Sequence, residues 1–348
     1  VKASPLGILL MLTVITATFS ALLDNVTTVL LITPVTLLIT EQLGIKAFPY
    51  FFATIFASNI GGTATLIGDP PNIIIGSKTH LTFTDFIVHM TPIAVAILVV
   101  VLAVLFVVCG RSLKTTPEAR EKIMNFNEND AITDPVLLKK CLIVFALVIL
   151  GFFLGHSLHL EPGTIALSGA ALLMLLAYGR DSAEAQAEKI HHAFGEVEWV
   201  TIFFFMGLFI IVGAVEHSGL LKVLGHKLME LTAGNPEKMA FVVLWVSAVL
   251  SSFLDNIPFV ATMLPLLQSA SDQIGGGAAF QPVWWALALG ACLGGNGTLI
   301  GASANLTVAG FAEKAKQPIT IIQFTKYAFP LMLLTVALAH LYLKWRYF

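Results

Sequence analysis

Charged residues are scarce in this sequence. Of its 348 residues, only 11% are Asp, Glu, Lys or Arg, whereas 57% are hydrophobic and the mean hydropathy is +0.88. A soluble globular domain usually carries about 25% charged residues. The formal net charge is -2, so there is no excess of positive charge and nucleic acid is not an expected partner. These deficits exclude an ordinary soluble protein and favour a membrane protein whose first partner is lipid.

Cysteine is also rare, and its three positions lie far apart. Cys109, Cys141 and Cys292 have neither metal-ligand spacing nor the density of a disulfide framework, so we expect them to pack as apolar residues. The sequence near Val1 lacks a cationic stretch followed by a cleavage site, so no signal peptide is predicted. We predict no metal centre and no organic cofactor.

Long apolar runs take the place of charge. The longest lie at 92–109, 141–153, 165–177, 200–215 and 331–343. Each supplies the core of a segment near the roughly 20 residues that cross a bilayer. Helices are expected, because lipid offers the backbone no hydrogen-bond partner and the ~10-residue alternating segments of a barrel are missing. The predicted fold class is an all-α polytopic membrane protein of the cell (plasma or inner) membrane, or of an organellar membrane in a eukaryote.

Two motifs occur twice, in the same order. Asp24-Asn25 recurs as Asp255-Asn256 after 231 residues. A glycine motif, GGTATLIGDPPN, recurs as GGNGTLIGASAN after 233 residues. Two motifs in one order at nearly one spacing indicate two copies of one unit.

The repeat predicts the division of the chain. Residues 1–110 form the C-terminal part of a first repeat, residues 111–136 a polar linker, and residues 137–348 a complete second repeat. Three apolar runs precede the second acid-amide pair but only one precedes the first, so we expect the preceding spans of the first repeat to be absent from this chain.

Each motif interrupts an apolar segment. In the second copy the acid-amide pair lies between arms at 239–253 and 257–267, which are short for spanning, so we predict a re-entrant helical hairpin with the pair at its tip. The glycine motif predicts a helix broken in mid-membrane. Such breaks in corresponding halves indicate the binding site of a transporter. The distribution of Lys and Arg favours inverted repeats whose tips meet near the midplane.

Four stretches together carry a family resemblance. LDNVTTVLLITP, NIGGTATLIGDPPN, FLDNIPFVATMLP and ALGACLGGNGTLIGASAN resemble the ArsB/NhaD permease group of the ion transporter superfamily, closest to the branch that contains the mammalian P protein. The resemblance covers essentially the whole chain. It implies a scaffold and a transport domain, a homodimer, secondary transport of a small inorganic solute, and an arsenical-pump ATPase subunit as a possible partner.

The hairpin tips depart from a related pattern. By resemblance, dicarboxylate carriers hold sodium with Ser-Asn-Thr, whereas this chain has acid-Asn pairs followed by Val26 and Ile257. An ionised carboxylate would repel a dicarboxylate, but it would bind Na⁺ or cycle a proton. We predict proton coupling at Asp24 and Asp255, with Na⁺ at Asp24/Asn25 and Asp255/Asn256 as the alternative. The coupling ion is therefore H⁺ or Na⁺.

Both repeats contribute to the predicted solute and ion site. Asp and Asn are also favoured N-caps, so each pair could simply cap the returning helix. Asp69 has Ala302 as its counterpart, so it either makes the two half-sites unequal or caps the segment after the break. The full predicted set is Asp24, Asn25, Thr65, Gly68, Asp69, Asn72, Asp255, Asn256, Asn296, Thr298, Gly301 and Asn305.

Three function classes follow from these residues. The first is a secondary transporter: proton-coupled arsenite or antimonite efflux is the best prediction, because arsenous acid is neutral and its hydroxyls suit amide partners. Na⁺/H⁺ antiport is an alternative within this class, and so is an anion transporter of the P protein type. The second class is a channel that uses the same breaks as a filter, such as an anion channel of the P protein type. The third class is an enzyme, because two buried aspartates resemble a protease dyad. The expected GxGD pattern is absent, so we predict no enzyme.

Overall fold

The computed structural model of the protein describes residues 3–110, 113, 115–124, 134–179, 181–197, 199–274 and 276–348. Within these residues all regular structure is helical. The α-helices are, in chain order, α1 (Pro5–Leu22), α2 (Asn25–Gln42), α3 (Phe48–Thr63), α4 (Pro70–Thr79), α5 (Phe83–Cys109), α6 (Pro117–Met124), α7 (Pro135–Leu158), α8 (Pro162–Tyr178), α9 (Ala183–Gly195), α10 (Trp199–His217), α11 (Leu220–Thr232), α12 (Pro236–Phe253), α13 (Asn256–Ile274), α14 (Gln281–Gly294), α15 (Ser303–Lys314) and α16 (Ile321–Tyr347). Short 3-10 helices, Gly277–Ala279 and Gly295–Gly297, flank α14.

Six segments among the described residues are long and apolar enough to cross a membrane. They are Pro5–Leu22, Phe83–Cys109, Pro135–Gly155, Pro236–Phe253, Gly277–Gly297 and Ile321–Tyr347, and two shorter apolar helices occupy Pro162–Tyr178 and Ile202–Val215. The prediction of an all-α polytopic membrane protein is confirmed.

The chain forms two compact units. One contains Val1–Asn125 together with Leu208–Phe348, and the other contains Phe126–Gly207. All of the predicted site residues belong to the first unit. The predicted repeat boundaries at 110 and 137 follow sequence similarity rather than compactness, so they stay a prediction. Much of the predicted linker, 111–136, lies outside the described residues.

The second unit contains a close helix pair, α7 with α8. A Cβ at Gly151 would lie 2.7 Å from the side chain of Ile165, and a Cβ at Gly169 would lie 2.2 Å from that of Val148. Small residues at such a contact let two membrane helices approach closely. The glycines therefore explain why these two helices pack side by side.

The first unit contains a structural repeat that matches the sequence repeat. Helices α1 to α5 correspond in order and in approximate length to α12 to α16. Helix α1 packs on α3 as α12 packs on α14. The contacts between the repeats are reciprocal as well, since α2 packs on α15 and α13 packs on α4. Each hairpin is therefore in contact with the broken helix of the other repeat.

Each repeat begins with a helical hairpin that local signals define. The side chain of Ser4 caps α1 and that of Asn235 caps α12, and each cap is followed by a proline at the first helical position. The second arms, α2 and α13, contain Pro34 and Pro265 at equivalent places.

The hairpin arms are longer than predicted. Helices α12 and α13 contain 18 and 19 residues, about 27 and 28 Å at 1.5 Å per residue, so the shorter limits 239–253 and 257–267 were wrong. The reason is that polar residues at the outer ends continue the helices beyond their apolar cores. The re-entrant and inverted orientation of the repeats in the bilayer stays a prediction.

The lengths of α3 and α4 show where along the broken helix of the first repeat the break lies. Helix α3 has 16 residues and α4 has 10, which correspond to about 24 and 15 Å. The irregular residues 64–69 between them are therefore far from both ends of the broken helix. In the second repeat, residues 295–302 separate α14 from α15 in the same way. Both breaks thus place irregular backbone in the interior of the first unit.

Candidate functional site

The two hairpin tips meet at one carboxyl group, that of Asp69. This side chain is completely buried and lies in the first break, directly before α4. Asn25 Nδ2 donates to its Oδ1 at 3.2 Å. Asn256 Nδ2, from the other tip, lies 3.3 Å from both carboxyl oxygens. Asp69 occupies the N-cap position of α4 but makes no capping hydrogen bond, so the alternative of a simple cap does not describe its contacts.

The acids of the two tips hold the turns that present these asparagines. Asp24 accepts hydrogen bonds from the backbone N–H of Val26 and Thr27, at 2.9 and 3.0 Å, and from the Thr27 hydroxyl. Asp255 accepts from the backbone N–H of Ile257 at 3.0 Å and from the hydroxyl of Ser303 at 2.7 Å. Both acids therefore act as N-caps, and both are partly exposed. A capping acid still has lone pairs for a proton or an ion.

Asn59 joins the first tip to the second break, and the sequence analysis missed it. The side chain is fully buried in α3. Its Oδ1 accepts from Asn25 Nδ2 at 3.2 Å, and its Nδ2 lies 3.0 Å from the Oδ1 atoms of both Asn296 and Asn305. A polar residue in an apolar run could have indicated Asn59 from the sequence, but Asn59 lies two residues before Gly61, where the repeated glycine motif begins.

The repeated asparagines after the breaks bind freed backbone carbonyls. Asn72 Nδ2 donates to the carbonyls of Gly62, Thr63 and Thr65, of which Thr65 is nearest at 2.8 Å. In the second repeat, Asn305 Nδ2 donates to the carbonyls of Gly295 and Thr298, at 2.7 and 2.9 Å. These bonds satisfy acceptors that a continuous helix would have paired internally.

A reciprocal pair of contacts links the two breaks. Asn59 and Cys292 occupy equivalent positions in the two repeats. Asn59 donates to Asn305 Oδ1, and Cys292 Sγ lies 3.5 Å from Asn72 Oδ1. The geometry is therefore two-fold, but one repeat supplies an amide where the other supplies a thiol.

The predicted threonines connect each break to its own hairpin. Thr65 Oγ1 donates to the Ala21 carbonyl at 2.6 Å, and Thr298 Oγ1 donates to the Ser252 carbonyl. Each hydroxyl also accepts a backbone N–H, from Gly68 and Ile300 respectively, at 3.2 Å. Both hydroxyls are thus occupied by backbone partners.

The two predicted glycines mark close backbone contacts. A Cβ at Gly68 would lie 2.6 Å from the Ser20 carbonyl oxygen. A Cβ at Gly301 would lie 2.7 Å from the Gly295 carbonyl oxygen and 3.0 Å from that of Ser251. Real Cβ atoms do not approach to 2.6 or 2.7 Å, so glycine is required at Gly68 where the first hairpin meets its break, and at Gly301 where the second break folds back on itself beside its hairpin.

Among the described residues, no Lys, Arg or His side chain donates a hydrogen bond to the acids and amides of the candidate site. Within the described ranges the one ion pair, Lys189 with Asp181 at 2.8 Å, lies in the second unit. The same ranges contain no group of three or more His, Cys, Asp or Glu that could hold a metal ion. An ionised Asp69 would thus be buried with amide donors but without a cationic partner, which is costly unless a proton or cation neutralises it.

Comparison with known proteins gives one family and several relatives. The sequence profile of the citrate transporter family (CitMHS) matches residues 1–290. An uncharacterized transporter of Mycobacterium tuberculosis is 44% identical over 347 residues, which cover 100% of this chain and 79% of that protein. A 46 kDa membrane protein of Mycobacterium leprae is 42% identical, with coverage of 99% and 78%. The P protein of Homo sapiens is 34% identical, with coverage of 97% and 48%.

Proposed function

Because this chain belongs to the citrate transporter family, we propose that it is a secondary active transporter that exports a small inorganic solute in exchange for protons. Arsenite and antimonite are the solutes that we favour. As a transporter with several spanning helices, the protein is a multi-pass protein of the cell membrane. Membership of the ArsB/NhaD group in particular is part of this proposal.

One observation carries the proposal: a fully buried carboxyl group is bound only by neutral donors where the two repeats meet. Asp69 is surrounded by Asn25, Asn256 and Cys292, and the partly exposed Asp24 and Asp255 lie at the two tips. An anion would be repelled by these acids. A neutral oxyacid such as arsenous acid would not be, and its hydroxyls would find amide partners.

Proton coupling follows from the cost of burying charge. Asp24 and Asp255 are partly exposed, so each can exchange a proton with water when its side of the site is open. We expect that protonation of either acid and occupancy by solute exclude each other while the domain that contains the hairpins moves against its scaffold. A carboxylate buried with neither proton nor cation would oppose that movement.

Everted membrane vesicles test this function directly. When the vesicle interior is more acidic than the medium, we expect the wild-type protein to accumulate arsenite and antimonite inside the vesicles. We expect Asp24→Asn and Asp255→Asn to lose this accumulation. Asn235→Asp, a conservative exchange of a cap outside the site, is the matched control and should transport normally. Equal arsenite accumulation in the Asp24→Asn/Asp255→Asn double variant would refute proton coupling at these acids. Currents far above the turnover of a carrier would indicate a channel.

Citrate is the second candidate, because the family profile carries that name. Citrate is anionic, so the acids of this site would admit it only with accompanying cations or protons. The same vesicles, offered citrate, sodium and chloride separately, distinguish the alternatives. Citrate uptake without arsenite flux would replace the favoured solute. Sodium-driven proton movement would indicate Na⁺/H⁺ antiport, and chloride flux would indicate anion transport.

A further inference from the structure

The amide chain at the centre of the site has a fixed direction. Asn305 Nδ2 donates to two backbone carbonyls, so the Oδ1 of Asn305 must face Asn59. Asn59 therefore directs its Nδ2 to Asn305 and to Asn296 Oδ1, at 3.0 Å each. Its Oδ1 then accepts from Asn25 Nδ2, which also donates to Asp69. Since backbone carbonyls and a carboxylate accept only, the assignment of amide oxygen and nitrogen is determined from both ends.

Two atoms of this amide chain have no hydrogen-bond partner. They are Asn25 Oδ1, an acceptor, and Asn296 Nδ2, a donor. Both residues are deeply buried, with relative exposures of 2% for Asn25 and 0% for Asn296. A buried polar group without a hydrogen-bond partner is unfavourable, and native proteins usually pair such groups with other protein groups or with ordered water. These two atoms are therefore the places where a bound solute would gain most.

We propose that this unpaired donor and acceptor select a neutral solute that carries hydroxyl groups. A solute with hydroxyl groups can accept from Asn296 Nδ2 and donate to Asn25 Oδ1, whereas a bare cation or an anion without a hydroxyl satisfies only one of the two atoms. A bare cation would meet the N–H groups of Asn296. An anion would meet Asn25 Oδ1 and the Asp69 carboxyl group. The inference rests on the proposed function for the location of the site and specifies what that site selects.

Asn296 is the residue that makes this selection possible in one repeat only. Its counterpart in the first repeat is Thr63, whose hydroxyl already donates to the Asn59 carbonyl at 2.7 Å. The free amide donor thus has no duplicate across the two-fold arrangement. A solute reaches it when a hairpin tip moves away from the break of the other repeat, which is a movement that alternating access permits.

The test removes the donor without removing the acceptor. In Asn296→Asp the retained oxygen still accepts from Asn59, but no N–H remains for a solute. Equilibrium binding to the full chain in detergent is measured with boric acid, a neutral trihydroxy probe, and with arsenite. We expect Asn296→Asp to bind each probe at least about tenfold more weakly than the wild-type protein does. Asn235→Asp is the matched control, and Cys292→Ser separates hydrogen bonding from capture of arsenic by a thiol.

Each outcome decides the inference. Wild-type affinity for both probes in Asn296→Asp would overturn it, as would binding of sodium or citrate, but not boric acid, by the wild-type protein. If Asn296→Asp unfolds, Asn296→Thr introduces the residue of the other repeat and also removes the amide donor. Boric acid binding that depends on Asn296, without arsenite flux in vesicles, would support the selectivity while refuting arsenite as the solute.

Discussion

At the scale of single residues, amides make most of the connections at the centre of this protein. Asn25 and Asn256 bring the two tips to Asp69, and Asn59 continues the connection into the second break. An amide both donates and accepts, so it can link a carboxylate to other amides, which a second carboxylate cannot do without a proton. The acids next to these amides hold the local backbone turns.

The two roles of Asp24 can be separated by two substitutions. Asn is as good an N-cap as Asp, so Asp24→Asn should keep the stability of the protein and lose proton-driven transport. Asp24→Ala should also lower the free energy of unfolding by about 0.5–2 kcal/mol, because Val26 and Thr27 lose their capping acceptor. Thermal unfolding in detergent, followed by tryptophan fluorescence, measures the difference.

Asp134 provides the control for this prediction. It accepts from the backbone N–H of Val136 and Leu137 at the start of α7, in the second unit. Asp134→Ala should lower stability in a similar way and leave proton-driven transport intact. Equal stability of Asp24→Asn and Asp24→Ala would contradict the capping role.

The candidate site residues that were predicted from the sequence are those that interrupt an apolar pattern. The tips and the breaks carry acids, amides and glycines between apolar runs, and the structure brings Asn25, Asp69, Asn256, Asn296 and Asn305 into one hydrogen-bonded group. Asn59 was not predicted as a site residue, because it lies within a helix rather than at a break and because the other repeat has Cys292 at the equivalent position. That Asp69 is shared by both tips depends on tertiary packing, which one sequence does not encode locally.

At the scale of elements, each hairpin is attached to a broken helix through small residues and hydroxyls. Ser20 donates to the Ser58 carbonyl at 2.6 Å, and Ser251 donates to the Ala291 carbonyl at 2.8 Å. These equivalent bonds, together with the glycine contacts, hold hairpin and break at the same spacing in both repeats. The hairpin and its own broken helix should therefore behave as one body.

Gly68→Ala and Gly301→Ala test this attachment. A methyl group at Gly68 would lie 2.6 Å from the Ser20 carbonyl oxygen of the hairpin. One at Gly301 would lie 2.7 Å from the Gly295 carbonyl oxygen of the same break and 3.0 Å from the Ser251 carbonyl oxygen of the hairpin, so the backbone must shift at both positions. We expect a loss of roughly 1–3 kcal/mol in the free energy of unfolding, the usual range for overpacking. Thermal unfolding of the purified variants measures this loss.

Gly310→Ala is the matched control for these substitutions. Gly310 lies within α15, and a Cβ there would have no neighbour within 4 Å. Alanine should stabilise this helix by up to about 1 kcal/mol. If all three variants unfold at the same temperature, the contact at the breaks is not close enough to require glycine.

Element ends were predicted less well than element order. The hairpins, the breaks and the order of helices followed from apolar runs and glycine motifs, and the apolar runs at 141–153, 165–177 and 200–215 lie within α7, α8 and α10. The arms of the second hairpin extend beyond their predicted ends, because capped polar turns such as that at Asn235 continue the helix outside the apolar core.

At the scale of the whole molecule, the reciprocal packing of the repeats restricts how the protein can move. The hairpin arm α13 packs on α4 of the other repeat, and α2 packs on α15. Alternating access by inverted repeats requires one bundle to move against another around a fixed site. Movement at one of these contacts should therefore accompany transport.

A reversible cross-link between α4 and α13 tests that movement. Gln268 Nε2 donates to the Lys78 carbonyl at 3.3 Å, and Lys78 is exposed, so Lys78→Cys with Gln268→Cys suits a short, reducible thiosulfonate cross-linker. In a transport-competent background without the three native cysteines, cross-linking should stop arsenite flux, and a reductant should restore it.

The control pair lies within the second unit. Lys140 Nζ donates to the Leu176 carbonyl at 2.6 Å, which joins α7 to α8. Cross-linking Lys140→Cys with Leu176→Cys should leave flux unchanged, because that helix pair is closely packed by glycines. Transport at the full rate through the cross-linked α4–α13 pair would show that this contact stays fixed during turnover.

The asymmetry at Asp69 also limits how such a protein can be built. A molecule assembled from two identical half-length chains must carry every side chain twice, so an acid at this position would be present in both breaks or in neither. A single polypeptide whose halves have diverged can keep aspartate at 69 and alanine at 302. Linking the duplicated halves in one polypeptide is thus what allows a single buried carboxyl group to bind the tips of both hairpins.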